Sequence, residues 1–362
     1  MNEEEYAKEF DSLAASYNEA EDPKGRLAAL EHLVRLTDSV GDIASAYNVR
    51  MKMIHCATFA GQKDKALVAF TWCLAQMDKY PDAFDSHSLL WKYKWILENM
   101  PTFVNVRKEK IFALEDDMQR RLLAAGYNLR PIHYLRWTNA MRMGDFDRAN
   151  EFMEKWRETP RDELADCEAC EQNKLSEFFG RSGKPEESAN VALKLLDGRM
   201  TCAEIPHLTC GHMVATYMKL GRLDELKQSH SKWYKMVKDN EEFLDVVAQH
   251  MMFAAGVGKF PEAIAMFERH AGWAVETVND YKRFVFYRAA AFLFQRTFPS
   301  ESRLRLNVPE SMACYREDAD YQCAELAQWF QAEAKSLAQQ FNQRNGNEYY
   351  TTLMAEPEAL FS

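Results

Sequence analysis

Three thiols and an imidazole carry the clearest chemical signal in the chain. Cys167 and Cys170 form a C-x-x-C pair, Cys202 follows after 31 intervening residues, and His207 after four more. Three thiolates and one imidazole match the donor set of tetrahedral zinc. Glu204, Cys210 and His212 are close enough in sequence to replace His207 as the fourth donor. Such a closed site staples structure rather than catalysing, because no coordination position is left for a substrate. Two other readings stand beside zinc. Cysteine packs well as a small apolar side chain, and a C-x-x-C at a helix N-terminus can be a redox pair with a lowered thiol pKa. No βαβ pattern surrounds this pair, which argues against a thioredoxin-like role. No cofactor is therefore required, and structural zinc is the one these residues suit.

A second group of residues suits recognition. Arg130, Tyr134 and Arg136 lie together in one helical run with His133 and Trp137. Asn173, Glu177 and Arg181 occupy comparable positions in a later run, and Arg283 and Arg288 near the C-terminal end, beside Tyr281 and Tyr287. Guanidinium forks pair with carboxylates in bidentate geometry, so these positions fit an extended peptide with acidic side chains or a free C-terminus. Aromatic residues at helical spacing also build cores. Trp137, Tyr287, His250 and His270 are read that way, as interior residues.

Catalytic signatures are missing. The chain has no G-x-S-x-G, no H-E-x-x-H and no G-x-G-x-x-G following a strand. Gly256-Val-Gly258-Lys259 is followed by Phe260 where a phosphate loop needs Ser or Thr, and a helical turn explains it better. The carboxylate pairs Asp116/Asp117 and Glu186/Glu187 sit in amphipathic runs, as solvated faces do.

The elements that must position these groups are helical. Of 362 residues, 47% are hydrophobic and 28% charged, with 22 Phe, 15 Tyr and 8 Trp but only 14 Gly and 11 Pro. Scarce turn residues favour long helices over many short strands. A net charge of −10 disfavours nucleic acid and anionic membranes as partners. The N-terminal MNEEEYAKEF lacks a signal peptide's basic and apolar regions, and no apolar run is long enough to span a bilayer. A cytoplasmic location with reduced thiols is the expectation.

A period organises the helices. Five segments align: Gly61-Gln-Lys-Asp-Lys-Ala66, Gly144-Asp-Phe-Asp-Arg-Ala149, Gly183-Lys-Pro-Glu-Glu-Ser188, Gly221-Arg-Leu-Asp-Glu-Leu226 and Gly258-Lys-Phe-Pro-Glu-Ala263. The last four glycines are 39, 38 and 37 residues apart. The 83 positions from Gly61 to Gly144 hold two units, with a degenerate turn near Pro101 to Asn105. In each segment glycine ends one amphipathic helix, an acidic residue favours the start of the next, and the fifth residue on must be small or apolar to pack. Ala66, Phe70, Cys73 and Leu74 continue one such apolar stripe, and Ala149, Phe152, Met153 and Trp156 another. A hairpin of this kind buries its stripe only by stacking on its neighbours.

Over roughly residues 20 to 275 the chain resembles the tetratricopeptide repeat (TPR) family, most closely in Gly144-Asp-Phe-Asp-Arg-Ala149. Its spacing exceeds the family's usual ~34 residues, and the family's Trp and Gly positions in the first helix are mostly not kept. Asp166-Cys167-Glu-Ala-Cys170, Thr201-Cys202-Ala-Glu204 and Phe341-Asn-Gln-Arg344-Asn345-Gly346 are similar to uncharacterised bacterial TPR proteins, a resemblance that implies the same fold and a bacterial source but no activity. The fold expected is an all-α, right-handed solenoid of about six hairpins over 1–272. A helical cap over 273–362 follows: a long helix at 274–297, an irregular segment at 298–318, and a final helix from about Tyr321 to Gly346. The function expected is a non-enzymatic scaffold or adaptor that binds a peptide or partner protein in its concave groove. A regulator sensing a ligand or signalling peptide is the alternative, and needs an enclosed cavity between the solenoid and residues 274–341. A thiol or metal redox protein is a third reading.

Overall fold

A computed structural model describes residues 2–361, and among these the chain is almost wholly helical. Fourteen helices pair in sequence as seven antiparallel hairpins. They are α1 (Glu3–Glu19) with α2 (Pro23–Val40), α3 (Ile43–Phe59) with α4 (Lys63–Lys79), and α5 (Ser86–Asn99) with α6 (Lys108–Ala124). Then follow α7 (Arg130–Met143) with α8 (Phe146–Glu158), α9 (Glu168–Arg181) with α10 (Pro185–Leu196), α11 (His207–Lys219) with α12 (Leu223–Val237), and α13 (Leu244–Gly256) with α14 (Phe260–Glu276). An eighth pair, α15 (Asp280–Thr297) and α16 (Cys323–Asn345), encloses a short antiparallel ribbon, β1 (Arg303–Arg305) with β2 (Asp320–Gln322). A last helix, α17 (Tyr349–Phe361), follows Gly346.

The turns form as their residues require. At Gly144 the backbone takes φ +77°, a left-handed value that an L side chain adopts only at a cost. Asp145 then accepts the Arg148 N–H at 3.2 Å and caps α8. The residue five positions after the glycine of every repeat segment, Ala66, Ala149, Ser188, Leu226 or Ala263, is at most 1% exposed. The odd-numbered helices from α3 to α15 pack each on the next, and together they surround the interior of the solenoid.

Two expectations about the C-terminal region are corrected. The helix foreseen at 274–297 is two helices, because Asn279 accepts the Lys282 N–H at 3.0 Å and starts α15 afresh. A boundary at 272 therefore falls inside α14. The irregular segment at 298–318 contains β1, and α16 ends at Gly346 in the left-handed conformation, as foreseen. Helix α17 had not been foreseen.

The solenoid curls until distant hairpins touch. Lys63 pairs with Glu242 at 3.1 Å, the Val104 N–H donates to Asp280 at 3.0 Å, and Arg344 donates to the carbonyls of Pro101 and Phe103 at 2.9 and 2.7 Å. Simple repeat arrays make contacts only between neighbours; this one closes on itself. No helix among the described residues is long and apolar enough to cross a membrane.

Candidate functional site

Inside the curl, side chains spaced i, i+4, i+8 on α9 and i, i+3, i+4, i+7 on α15 fall on one face of each helix. On α9 these are Asn173, Glu177 and Arg181; on α15 they are Tyr281, Phe284, Val285 and Arg288. All of these except Asn173, with His212 and Lys219 of α11, Gln249 of α13, and Tyr349 and Glu356 of α17, line a chamber of about 420 Å³. Spaces of about 80 and 210 Å³ extend it toward the N-terminal ends of the inner helices, past Arg142, Lys174, Asn173 and Tyr134.

Charge in the chamber is paired. Arg181 reaches Glu177 at 2.9 Å, Tyr349 Oη at 2.8 Å and Tyr281 Oη at 2.7 Å. Lys174 and Arg142 stand 3.7 and 3.8 Å from the same Glu177 carboxylate. Burial alone would raise that carboxyl's pKa, but Arg181, Lys174 and Arg142 outweigh it and hold the group well below the usual range. Arg288 bridges to α17 through Leu353 O at 2.6 Å and Glu356 at 3.2 Å, and Lys219 meets Glu356 at 3.3 Å. His212 shares a 2.9 Å hydrogen bond with Ser176, and burial lowers its pKa to about 4, so the ring is neutral near pH 7. Two guanidinium donors remain unsatisfied: Arg288 Nε and Arg142 Nη1 are buried without a hydrogen-bond partner. A buried donor left unpaired is costly unless something else accepts from it.

The structure thus gathers Glu177, Arg181 and Arg288 around the chamber and puts Asn173 and Tyr134 beside its extension. It takes Arg130, Arg136 and Arg283 elsewhere, which corrects their placement in the groove. Arg130 holds Glu171 at 2.9 Å and the carbonyls of Trp156 and Thr159, closing the end of α8. Arg136 follows Tyr134 by two residues, roughly 200° around a helix; it turns outward to Gln119 and Asp116 of α6. Arg283 folds back onto the Ala274 and Thr277 carbonyls at the end of α14. Lys174, Lys219, Gln249, Tyr349 and Glu356 were missed as site residues. The α11 pair His212 and Lys219 repeats the i, i+7 one-face spacing seen on α15, a signal present in the sequence. Nothing local pointed to α17.

The thiols lie at the opposite end of the inner helices. Cys167 is the N-cap of α9 and accepts the Cys170 N–H at 3.3 Å. Its sulfur is 3.0 Å from that of Cys170, which is 3.3 Å from that of Cys202. His207 does not join them: it opens α11 and stacks on Phe243 at 5.3 Å, turned toward α13 rather than back toward α9. The substitutes fail as well. Glu204 lines the 210 Å³ space with Cys170 but does not join the three sulfurs, His212 faces Ser176, and Cys210 is buried in the core. Burial and the two neighbouring thiols push the Cys170 pKa up, the reverse of an activated redox thiolate.

His250 and His270 are fully buried, as are Trp137 and, nearly so, Tyr287. Asp116 is exposed, but neighbouring Glu115 is buried against Asn139 and Arg148. Compared with known proteins, the chain matches no family model and no curated protein.

Proposed function

We propose that the protein is a non-enzymatic binding module of TPR-like type, and that its interior chamber receives a short peptide segment or chain terminus bearing a carboxylate. The observation that carries this reading is the convergence of the Arg181 and Arg288 guanidinium groups on one chamber. A carboxylate is the acceptor that satisfies such donors in charge-assisted, bidentate geometry. The volume is in the range of sites that enclose a small ligand or a few residues, and the aromatic walls Tyr281 and Tyr349 supply area for apolar contact. Reaction chemistry has little support: the buried acids are held by cations, and His212 is engaged by Ser176.

A second reading, a regulator sensing a small ligand or signalling peptide, is favoured by α17. This helix closes one side of the chamber, so binding and its displacement would be linked. The chamber is thus enclosed both by α15, within the 274–341 segment expected from sequence, and by α17, beyond that segment.

The test uses Ala215, which lines the chamber without taking part in its ion pairs. Ala215→Trp fills the space. Affinity purification from the native host, followed by mass spectrometry, should recover a protein or peptide with the wild-type chain and lose it with the variant. Equal recovery by both would place binding on another surface and sink the proposal. A bound metabolite released from the wild type alone would favour the sensor reading.

A further inference from the structure

The three thiols have no assigned work in the chamber reading, and their geometry stands independently of it. They come from two segments 32 residues apart and converge to sulfur–sulfur distances of 3.0 and 3.3 Å. All three ligand atoms lie within 4.8 Å of one another, and among the described residues no imidazole or carboxylate joins the group.

We propose that Cys167, Cys170 and Cys202 hold one thiophilic metal ion, Zn²⁺, through three thiolates, with a fourth coordination position open to solvent. Both segments are shaped for this. Cys167 and Cys170 share the first turn of α9, where unpaired backbone N–H groups and the helix dipole favour anionic sulfur. The Cys170 N–H already donates to the Cys167 sulfur. Cys202 is presented by a tight loop in which it and Ile205 exchange backbone hydrogen bonds at 3.3 and 3.4 Å. Ala169, Leu195 and Ile205 form an apolar wall behind the cluster, which excludes hard, water-loving ions and suits a soft donor set.

Zinc–sulfur bonds of ~2.3 Å in tetrahedral geometry set sulfurs roughly 3.8 Å apart. The observed spacings are shorter than that and longer than the ~2.05 Å of a disulfide, so loading requires opening by less than about 1 Å. The exposed side is that of Cys167, where water or an external donor completes the shell. The site differs in kind from the closed Cys₃His site expected from sequence. Open three-ligand zinc binds an exogenous donor, while closed zinc only staples.

The test is a Co²⁺ titration of the fully reduced, metal-stripped full chain, followed by Zn²⁺ competition. One ion per chain is expected, with the near-ultraviolet charge-transfer absorption of thiolate–Co²⁺ bonds that Zn²⁺ abolishes. Cys167→Ala, an exposed position whose loss leaves the helical circular dichroism intact, should weaken binding by about a hundredfold or more, beyond what loss of an outer-shell contact costs. His207→Ala and Cys314→Ser should bind like the wild type. Absence of charge transfer in reduced wild-type protein, unchanged affinity in Cys167→Ala, or a stoichiometric disulfide between two of the three thiols that persists under reducing purification would each overturn the proposal. Loss of binding in His207→Ala would overturn the three-thiolate description specifically.

Discussion

The two ends of α9 solve opposite problems. At its C-terminal end Glu177 is buried among Arg181, Lys174 and Arg142, and each ion is held by another. At its N-terminal end, about 15 Å from Glu177 along the helix axis at Cys167, the sulfurs of Cys167, Cys170 and Cys202 are joined by no imidazole or carboxylate among the described residues. The chamber is therefore pre-organised, and a ligand there must exchange partners with an existing network. The thiol corner is incomplete, and a ligand there adds contacts without displacing any. Stability should depend on the first and hardly at all on the second until metal arrives.

The largest effect should come from breaking the chamber's network at its centre. Glu177→Ala removes the carboxylate shared by Arg181 and Arg142 in a buried space and leaves Lys174 only Glu98, 3.2 Å away. Removing one partner of a buried ion pair typically costs about 3–5 kcal/mol, and denaturant unfolding should show a loss in that range. A loss below about 1 kcal/mol would mean that the network is solvated and that the chamber is not pre-organised.

Acid should attack the same end. His212 titrates near 6.5 when unfolded and at about 4 in the fold. Its folded pKa is depressed, so the stability it contributes is present above 6.5 and is lost as pH falls from 6.5 toward 4. The shift corresponds to a contribution on the order of 3 kcal/mol. His133 and His270, both lowered to about 4, and His250, lowered to about 3, act in the same direction. Below 4.5 the Glu177 carboxyl adds to the loss, since its folded pKa lies below that unfolded value. Unfolding free energy measured between pH 7 and 4 should fall throughout this window, and His212→Asn should flatten the slope.

A smaller effect isolates α17. Gly144 and Gly183 both have positive φ, +77° and +80°. A Cβ at Gly183 would meet nothing within 4 Å, while one at Gly144 would lie 2.3 Å from Tyr349 Cβ. Gly183→Ala should cost only the left-handed backbone term, about 1–2 kcal/mol. Gly144→Ala should cost more and release α17, seen as faster proteolysis after Gly346. Equal costs, with α17 equally protected, would show that the helix is not a wall of the chamber.

Local signals were legible and distant ones were not. The turn glycines, the acidic helix starts and the buried residue five positions on recur in sequence because each is fixed by its own hairpin. Glu177, Arg181 and Arg288 could be read as inward-facing because helical spacing sets which side chains share a face. Arg136 was misplaced by ignoring that same rule, since it cannot share a face with Tyr134 two residues earlier. Helix α17 leaves no such trace. It contains Pro357, buries only Tyr350 and Pro357, and is held by contacts to the ends of α7, α9 and α11 and to the middle of α15. That His207 stands apart from the thiols was likewise illegible: Cys202 and His207 are neighbours in sequence, but α11 starts at His207 and turns the imidazole toward Phe243.

The smallest expected effect is the one that separates the two ends most cleanly. Cys167 is exposed and its loss removes one N-cap contact, so in metal-free protein Cys167→Ala should cost at most about 1 kcal/mol. In the presence of Zn²⁺ the two proteins should part. An ion that binds the folded chain alone adds RT ln(1 + [L]/Kd), about 2.7 kcal/mol at a free concentration of 100 Kd. The wild type should therefore gain thermal stability as zinc is added, and Cys167→Ala should gain almost none. The Glu177→Ala variant, weakened at the other end of the same helix, should keep the full zinc-dependent gain. If instead its gain disappears, the two ends are coupled through α9, and a ligand in the chamber would then change the affinity of the thiol corner for metal by the same factor as metal changes the chamber.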